Sequence, residues 1–150
     1  MGAVKEPTGN RYESDFAAWA FEQAEAIKRG DWRALDIPNL VEELESMGKQ
    51  QRAELRNRLV VLLMHLAKWD KQAAMRSRSW RTSIDIQRID IADHMEDNPS
   101  LEPYASQAMA RAWKVARLDA ARETGLSIEA FEEQCPYTWE QATDPNWMPK

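Results

Sequence analysis

The chain has 150 residues, of which 43% are hydrophobic and 30% charged, and a formal net charge of −5 at pH 7. This is the length of one ordinary domain, and the composition excludes a disordered or fibrous chain. The longest apolar run, Leu59–Met64, is too short to cross a bilayer. A single cysteine, Cys135, excludes an internal disulfide framework and a zinc site built from several cysteines.

Helix-forming residues dominate the composition, and glycine occurs only 5 times, so we predict an all-α fold. We expect a disordered leader over residues 1–11 and a single helical domain over residues 12–150. The first residues lack the apolar stretch of a secretory signal, and one unpaired thiol suits a reducing compartment. We therefore expect a cytoplasmic protein with no membrane association.

In the N-terminal third, the spacing of apolar residues predicts two amphipathic helices. The first is expected to begin after a Ser14 cap and to stop at Gly30, and the second to be capped by Asp36. Gly48 is expected to end the second helix or to lie at a kink in it. Both apolar stripes are predicted to face the core; they comprise Phe16, Trp19, Ala20, Ala24 and Ile27, then Leu40, Val41, Leu44 and Met47.

The middle of the chain predicts the most buried helix, because Leu55, Leu59, Leu62 and Leu66 recur at alternating steps of four and three residues. A further helix is predicted to end near Asp97–Asn98, and another to span residues 101–124 before Gly125. Short helices are expected after Ser127 and after a Thr138/Gln141 capping box. We predict an irregular helical bundle of four to five main helices plus a short C-terminal helix.

The charges are unevenly distributed along the chain. Residues 1–48 and 95–150 each carry a net charge of −5, whereas residues 49–94 carry +5. The basic centre could pair with the acidic flanks or face an anionic partner. An overall acidic chain is a poor nucleic-acid binder, so internal pairing is favoured.

One set of polar and aromatic side chains is the candidate site. Arginines beside tryptophans in segment 68–88 could clamp phosphates and stack bases. Alternatively, the arginines pair with the carboxylates of residues 42–45 while the tryptophans pack inside. The candidate cluster comprises Glu42, Glu45, His65, Lys68, Trp69, Arg76, Arg78, Trp80 and Arg81.

Metal binding and catalysis have weaker support. Carboxylates and histidines can converge in a helical bundle to hold metal, but the Glu-x-x-His pair of di-iron bundles is missing. We predict no metal, no cofactor and no catalytic residue, and Cys135 is expected to be buried as a small hydrophobe. Glycine-rich phosphate loops and nucleophile elbows are absent from the sequence. The set considered for metal comprises Glu42, Glu45, His65, Asp90 and His94.

Five ordered motifs resemble a known family of bacterial proteins. They are Tyr12-x-x-Asp15-Phe16-x-x-Trp19, Asn39-Leu40-x-Glu42-Glu43-Leu44-Glu45-x-Met47-Gly48, His65-Leu66-x-Lys68-Trp69, Arg76-Ser77-x-Ser79-Trp80 and Cys135-Pro136-Tyr137. The chain is similar over nearly its whole length to the family catalogued as domain of unknown function twenty-nine. Family members usually have a proline where this chain has Ala73–Ala74. The resemblance implies a small, stand-alone, all-helical bacterial protein, and it implies no activity, ligand or catalytic residue.

These observations leave the function open between three classes. The leading expectation is a protein-interaction or accessory module that binds a protein partner or itself through a face containing tryptophan and arginine. The alternative is a nucleic-acid-associated protein using segment 68–88, and the second alternative is a metal-dependent enzyme. Any exposed tryptophan among Trp32, Trp139 and Trp147 would indicate a contact surface.

Overall fold

The computed structural model describes residues 8–150, with side chains from Arg11 onward, and these residues contain helices and no strand. The all-α prediction is confirmed. Residues 1–7, most of the predicted leader, lie outside the described part, and the first helix begins within the remainder of that leader. The helices are α1 (Thr8–Ser14), α2 (Phe16–Arg29), α3 (Ile37–Lys71), α4 (Arg78–Asp97), α5 (Ala105–Thr124) and α6 (Trp139–Thr143).

The chain divides into two compact units, residues 1–49 and residues 50–150. Helix α3 contributes its first turns to the former, here called the N-terminal unit, and its remainder to the latter, the C-terminal unit. The single domain over residues 12–150 stays a prediction. None of the helices in the described residues is long and apolar enough to cross a membrane.

In the N-terminal unit, helix α2 is fixed at both ends by side chain and backbone chemistry. The Asp15 carboxylate accepts the backbone N–H of Ala18 at 3.0 Å, so Asp15 is the cap and the prediction of Ser14 was one residue early. A carboxylate also suits the positive end of the helix dipole. Gly30 ends the helix with φ 68°, a left-handed conformation that glycine adopts without strain.

A buried polar cluster holds the start of α3 against α2. The Trp19 indole N–H donates to the Asp36 carboxylate at 3.0 Å, and the backbone N–H of Asp36 donates to the Gln23 side chain at 2.7 Å. The Asn39 amide also donates to Asp36, at 2.8 Å. Asp36 therefore closes the chain reversal, and because it accepts from both sides its burial is compensated.

The C-terminal unit contains the hydrophobic core. Leu55, Leu59, Leu62 and Leu66 of α3 are fully buried, which confirms the predicted seam. They pack in one cluster with apolar residues of α4, α5 and the C-terminal segment, including Ile84, Ile91, Ala112, Trp113, Phe131 and Tyr137. Alanines at the buried positions of α5 allow the helices to approach closely.

Most helix ends in the C-terminal unit follow the predictions. Ser77 caps α4, Gly125 ends α5 with φ 73°, and a Thr138/Gln141 capping box starts α6. The short helix predicted after Ser127 is wrong, because only a 3-10 turn over Ile128–Ala130 forms.

The reason lies in two competing side chains. Ser127 donates its hydroxyl to Glu129 instead of capping a backbone N–H. Arg117 donates to the carbonyl oxygens of Ile128 and Phe131 at 3.2 and 3.0 Å. These carbonyls are therefore satisfied without a continuing helix.

The last residues of the chain are held by a buried arginine. The Arg88 guanidinium donates to the carbonyl oxygens of Ala142 and Trp147, both at 2.8 Å, and to that of Gln141 at 3.3 Å. Trp147 packs against Tyr137 with ring centroids 5.8 Å apart. The last residues of the chain therefore lie against α4 and Tyr137 within this unit.

Candidate functional site

Lys68 of the candidate cluster is engaged inside the C-terminal unit. Its ammonium donates to the Glu123 carboxylate at 2.6 Å and lies 4.6 Å from the centre of the Trp80 ring. Lys68 is only 9% exposed. Its charge is therefore balanced by a carboxylate and an aromatic face, which is a stabilising arrangement for a buried ammonium.

The arginines of the cluster also have internal partners. Arg76 donates to the backbone carbonyl of Trp69 at 2.8 Å, with its guanidinium 5.0 Å from the centre of that ring. Arg81 donates to the Asp85 carboxylate at 3.1 Å and to the carbonyl oxygen of Pro145 at 3.0 Å. Arg78 is exposed on the first turn of α4. Lys68, Arg76 and Arg81 therefore bind acceptors within the chain.

Both histidines contact backbone carbonyl oxygens, His65 within its own helix and His94 from α4 across to α3. His65 Nδ1 lies 2.8 Å from the Val61 carbonyl oxygen, and His94 Nε2 lies 2.9 Å from that of Gln51. Asp90 accepts from Arg58 at 2.8 Å. Across residues 8–150, no three side chains of the metal-binding types are placed to share an ion.

The Lys68–Glu123 pair predicts a dependence of stability on pH. The hydrogen bond from Lys68 holds the pKa of Glu123 below its usual value. A carboxyl whose pKa is lowered by folding stabilises the folded state above the unfolded-state pKa of about 4.3 and loses that contribution as the pH falls through the folded value. We expect Glu123→Gln to lower the free energy of unfolding by at most about 1 kcal/mol at pH 7, since Glu123 is partly exposed.

Urea unfolding at a series of pH values between 3 and 7 measures this effect. The difference between wild type and Glu123→Gln is expected to shrink below about pH 4. Glu102→Gln removes an exposed carboxylate for which the described residues supply no basic partner, and it serves as the control. A Glu123→Gln difference that stays constant down to pH 3 would contradict the assignment.

Glu42 and Glu45 are exposed on the first turns of α3 in the N-terminal unit. The neighbouring Glu43 accepts a hydrogen bond from the Tyr12 hydroxyl, which raises the pKa of Tyr12 to about 12. Tyr12 also meets the Trp19 ring edge-on at a centroid distance of 4.8 Å. Of these three carboxylates, Glu43 is thus the one that faces the rest of this unit.

Large apolar side chains of the N-terminal unit are exposed to solvent. Eight of them lie between residues 16 and 47, with exposed fractions from 47% to 74%. We call these residues the hairpin face: Phe16, Phe21, Ile27, Trp32, Ile37, Val41, Leu44 and Met47.

The two helices of this unit contribute to the same side. Tyr12 of α1 bonds Glu43 whereas Gln23 of α2 bonds Asp36, so α1 and α2 run in the opposite direction to α3. Each buried residue of α2 is followed by an apolar residue, and so is each half-buried polar residue in the part of α3 that belongs to this unit. When two right-handed helices pack in opposite directions, the residue that follows an interhelical contact residue lies on the same side of the helix pair in both helices. The residues that come directly after the contact residues are Ala20, Ala24 and Ile27 on α2, and Leu40, Leu44 and Met47 on α3.

The C-terminal unit is different in this respect. Over its 101 residues it exposes six large apolar side chains, and they are scattered over several elements. They are Met75, Ile86, Ile89, Val115, Leu118 and Leu126. Single exposures and pairs one turn apart are normal on a protein surface, whereas the N-terminal unit exposes eight large apolar side chains within residues 16–47.

A cavity of about 510 Å³ in the C-terminal unit is walled by Trp113, Tyr137, Trp139 and Lys114, with Cys135 at its side. Burial raises the pKa of the Cys135 thiol, so the thiol stays protonated at neutral pH. Cys135 is half-buried, with its sulfur 3.4 Å from the Tyr137 carbonyl oxygen. The cavity therefore offers no activated nucleophile.

The chain matches the protein family described as Domain of unknown function DUF29 over residues 11–148. The chain belongs to this family. The DUF29 match spans both compact units, so the hairpin face and the hydrophobic core are parts of one family region. No curated protein and no solved structure matches the chain.

The motifs that carried the DUF29 resemblance fall at structural contacts. Asp15 caps α2, Trp19 bonds Asp36, and Trp80 covers the Lys68 ammonium. Tyr137 donates its hydroxyl to Asp70 at 3.2 Å. These residue types therefore serve to hold the fold of this DUF29 protein together.

The prediction that both N-terminal stripes face the core is wrong for six residues: Phe16, Ala24, Ile27, Val41, Leu44 and Met47. The interior of the N-terminal unit is filled by Trp19, Gln23, Ala26 and the Asp36 cluster, which need only a narrow arc of α2. The sequence signal for the exposed surface was Trp32, 66% exposed in the connection between the helices.

Proposed function

We propose that this DUF29 protein is a protein-interaction module and that it binds its partner through the hairpin face. One observation carries the proposal: eight large apolar side chains within residues 16–47 are each about half or more exposed. Few large apolar side chains are expected to stay exposed so close together in the sequence of a monomeric protein, because burying them is favourable. A partner that covers this face removes these apolar side chains from water.

The hairpin face has the composition of an interface centre. Its two most exposed aromatics, Phe21 at 74% and Trp32 at 66%, are of residue types that are enriched at protein interfaces. Charged side chains lie beside it, including Lys28 on α2 and Glu45 on α3. An apolar centre with a charged rim excludes water from the contact and fixes orientation at its edge.

A nucleic-acid role has less support from the contacts. Lys68 and Arg88 are buried, and Arg76 and Arg81 bind internal acceptors. Binding to phosphates would require these cations to give up those partners. Within segment 68–88, Arg78 is the exposed cation for which the described residues supply no acceptor.

We also infer a bacterial, cytoplasmic setting. The lone, half-buried thiol of Cys135 supports a reducing compartment. The resemblance of the sequence motifs to those of a bacterial family supports a bacterial origin.

A matched pair of substitutions tests the proposed function. Leu44 on the hairpin face is 66% exposed, and Leu118 on α5 is 63% exposed. Leu44→Glu places a charge in the proposed contact, whereas Leu118→Glu places the same charge outside it. Tagged wild type and both variants are used as bait in a lysate that also contains an untagged copy of the chain, and retained proteins are quantified by mass spectrometry.

We expect Leu118→Glu to retain the same proteins as wild type and Leu44→Glu to lose at least about 90% of them, because a carboxylate buried without a partner opposes binding. Circular dichroism establishes that both variants keep their helices. Equal retention by the two variants would show that binding uses another surface.

A further inference from the structure

We infer that the occupant of the hairpin face is a second copy of this chain, with the two hairpins packed face to face in antiparallel orientation. The inference rests on the proposed function and adds the identity of the partner. The area available in the N-terminal unit supports a second copy as the occupant, and the distribution of charge sets the orientation.

The area is sufficient for a stable dimer. A large side chain presents roughly 150–250 Å² when fully exposed. Phe21 and Val41 lie on the outer sides of α2 and α3, so the contact uses the other six side chains, which are 48–66% exposed. These six offer on the order of 700 Å², close to what each partner of a standard-size interface buries. A two-fold pairing uses the same surface on both copies, so one such face per chain is enough.

The charge distribution favours the antiparallel orientation. The turn end of the unit, residues 25–35, carries three basic and two acidic side chains, a net charge of +1. The open end, residues 11–22 with 42–49, carries two basic and six acidic side chains, a net charge of −4. Parallel pairing would place the two acidic ends together, whereas antiparallel pairing sets each acidic end against a weakly basic one.

Sedimentation velocity of the full chain, from 1 to 100 µM protein in 0.15 M salt, tests the identity of the partner. We expect a species of twice the 17.4 kDa chain mass. Leu44→Glu is expected to raise the dimer Kd by roughly 100-fold or more, since it buries an unpaired charge at an apolar contact. Leu118→Glu is expected to leave the Kd within about twofold of wild type.

A distance measurement tests the orientation. A spin label is attached at Arg33→Cys, in the exposed connection between the helices, in a Cys135→Ser background. Because 14-residue α2 is roughly 21 Å long, antiparallel pairing is expected to separate the two labels by at least about 20 Å. A separation near 10 Å, the spacing of neighbouring helices, would overturn the antiparallel arrangement.

Failure of this inference is distinct from failure of the proposed function. Wild type that stays monomeric at 100 µM overturns the second copy as the occupant. A dimer that Leu44→Glu and Leu118→Glu affect equally overturns the hairpin face as the dimer contact. The proposed function then stands if the lysate experiment still shows another protein bound to wild type and lost from Leu44→Glu, and it falls if no such protein is found.

Discussion

Trp113→Ala is expected to lower the free energy of unfolding of the C-terminal unit by about 3–5 kcal/mol, the usual cost of emptying a large aromatic site. Trp113 is 1% exposed, and its indole N–H donates to the Glu132 carbonyl oxygen at 3.0 Å. Its ring also meets Tyr137 edge-on at 5.9 Å. The substitution therefore leaves a cavity, an unpaired carbonyl and a lost aromatic contact. Urea unfolding followed by circular dichroism measures the loss.

Met75→Ala is the control for this prediction. Met75 is 62% exposed in the turn between α3 and α4, so truncating it is expected to change the free energy of unfolding by less than about 0.5 kcal/mol. A loss below about 1 kcal/mol for Trp113→Ala would show that Trp113 is not at the centre of the core.

Arg88→Met is expected to cost about 3 kcal/mol and to release the C-terminal segment. The apolar stem is replaced at similar volume, so packing is largely kept. The carbonyl oxygens of Gln141, Ala142 and Trp147, however, lose a charged donor. Hydrogen bonds to a charged group each contribute about 1.5–3 kcal/mol, and carbonyls left unpaired add a desolvation cost. Amide hydrogen exchange should become faster over residues 139–150 specifically.

Arg81→Met provides the matched comparison. Arg81 is more exposed than Arg88, but it also binds the C-terminal segment, through the carbonyl oxygen of Pro145. Its other partner is Asp85, one turn further along α4. We expect its loss to cost under about 1 kcal/mol. If Arg81→Met and Arg88→Met accelerated exchange equally over residues 139–150, the buried guanidinium would not be what holds the segment.

The sequence predicted the C-terminal unit well because its signals are local and redundant. The leucines at Leu55, Leu59, Leu62 and Leu66 repeat along one helix face, and all are buried. Gly125 and the Thr138 capping box act within one turn of chain. Each of these signals specifies its own element without reference to distant residues.

The hairpin face was mispredicted because periodicity reveals an apolar stripe but not what covers it. Leu44 and Met47 recur with the spacing of core residues, yet they are 66% and 58% exposed. Covering them requires a further surface, and the residues that fill the interior of the N-terminal unit are Trp19, Gln23 and Asp36 instead. Amphipathic spacing alone does not separate a core face from an interface.

The contacts within the predicted cluster were not foreseen from the sequence. Lys68 lies over the Trp80 ring and Arg76 over the Trp69 ring. Their polar partners could not be read from the sequence, since Glu123 is 55 residues from Lys68. Pairing at that separation depends on how α3 and α5 pack, which residue spacing along one helix does not report.

Oxidation of two matched methionines tests the central claim most directly. Met47 on the hairpin face is 58% exposed and Met75 outside it is 62% exposed, so in an unbound chain they should oxidise at similar rates. At 100 µM wild-type protein, we predict that hydroxyl-radical footprinting shows Met47 protected several-fold relative to Met75, and that Leu44→Glu removes the protection. Equal oxidation of Met47 and Met75 in wild type, both alone and in lysate, would contradict the hairpin face as a binding surface.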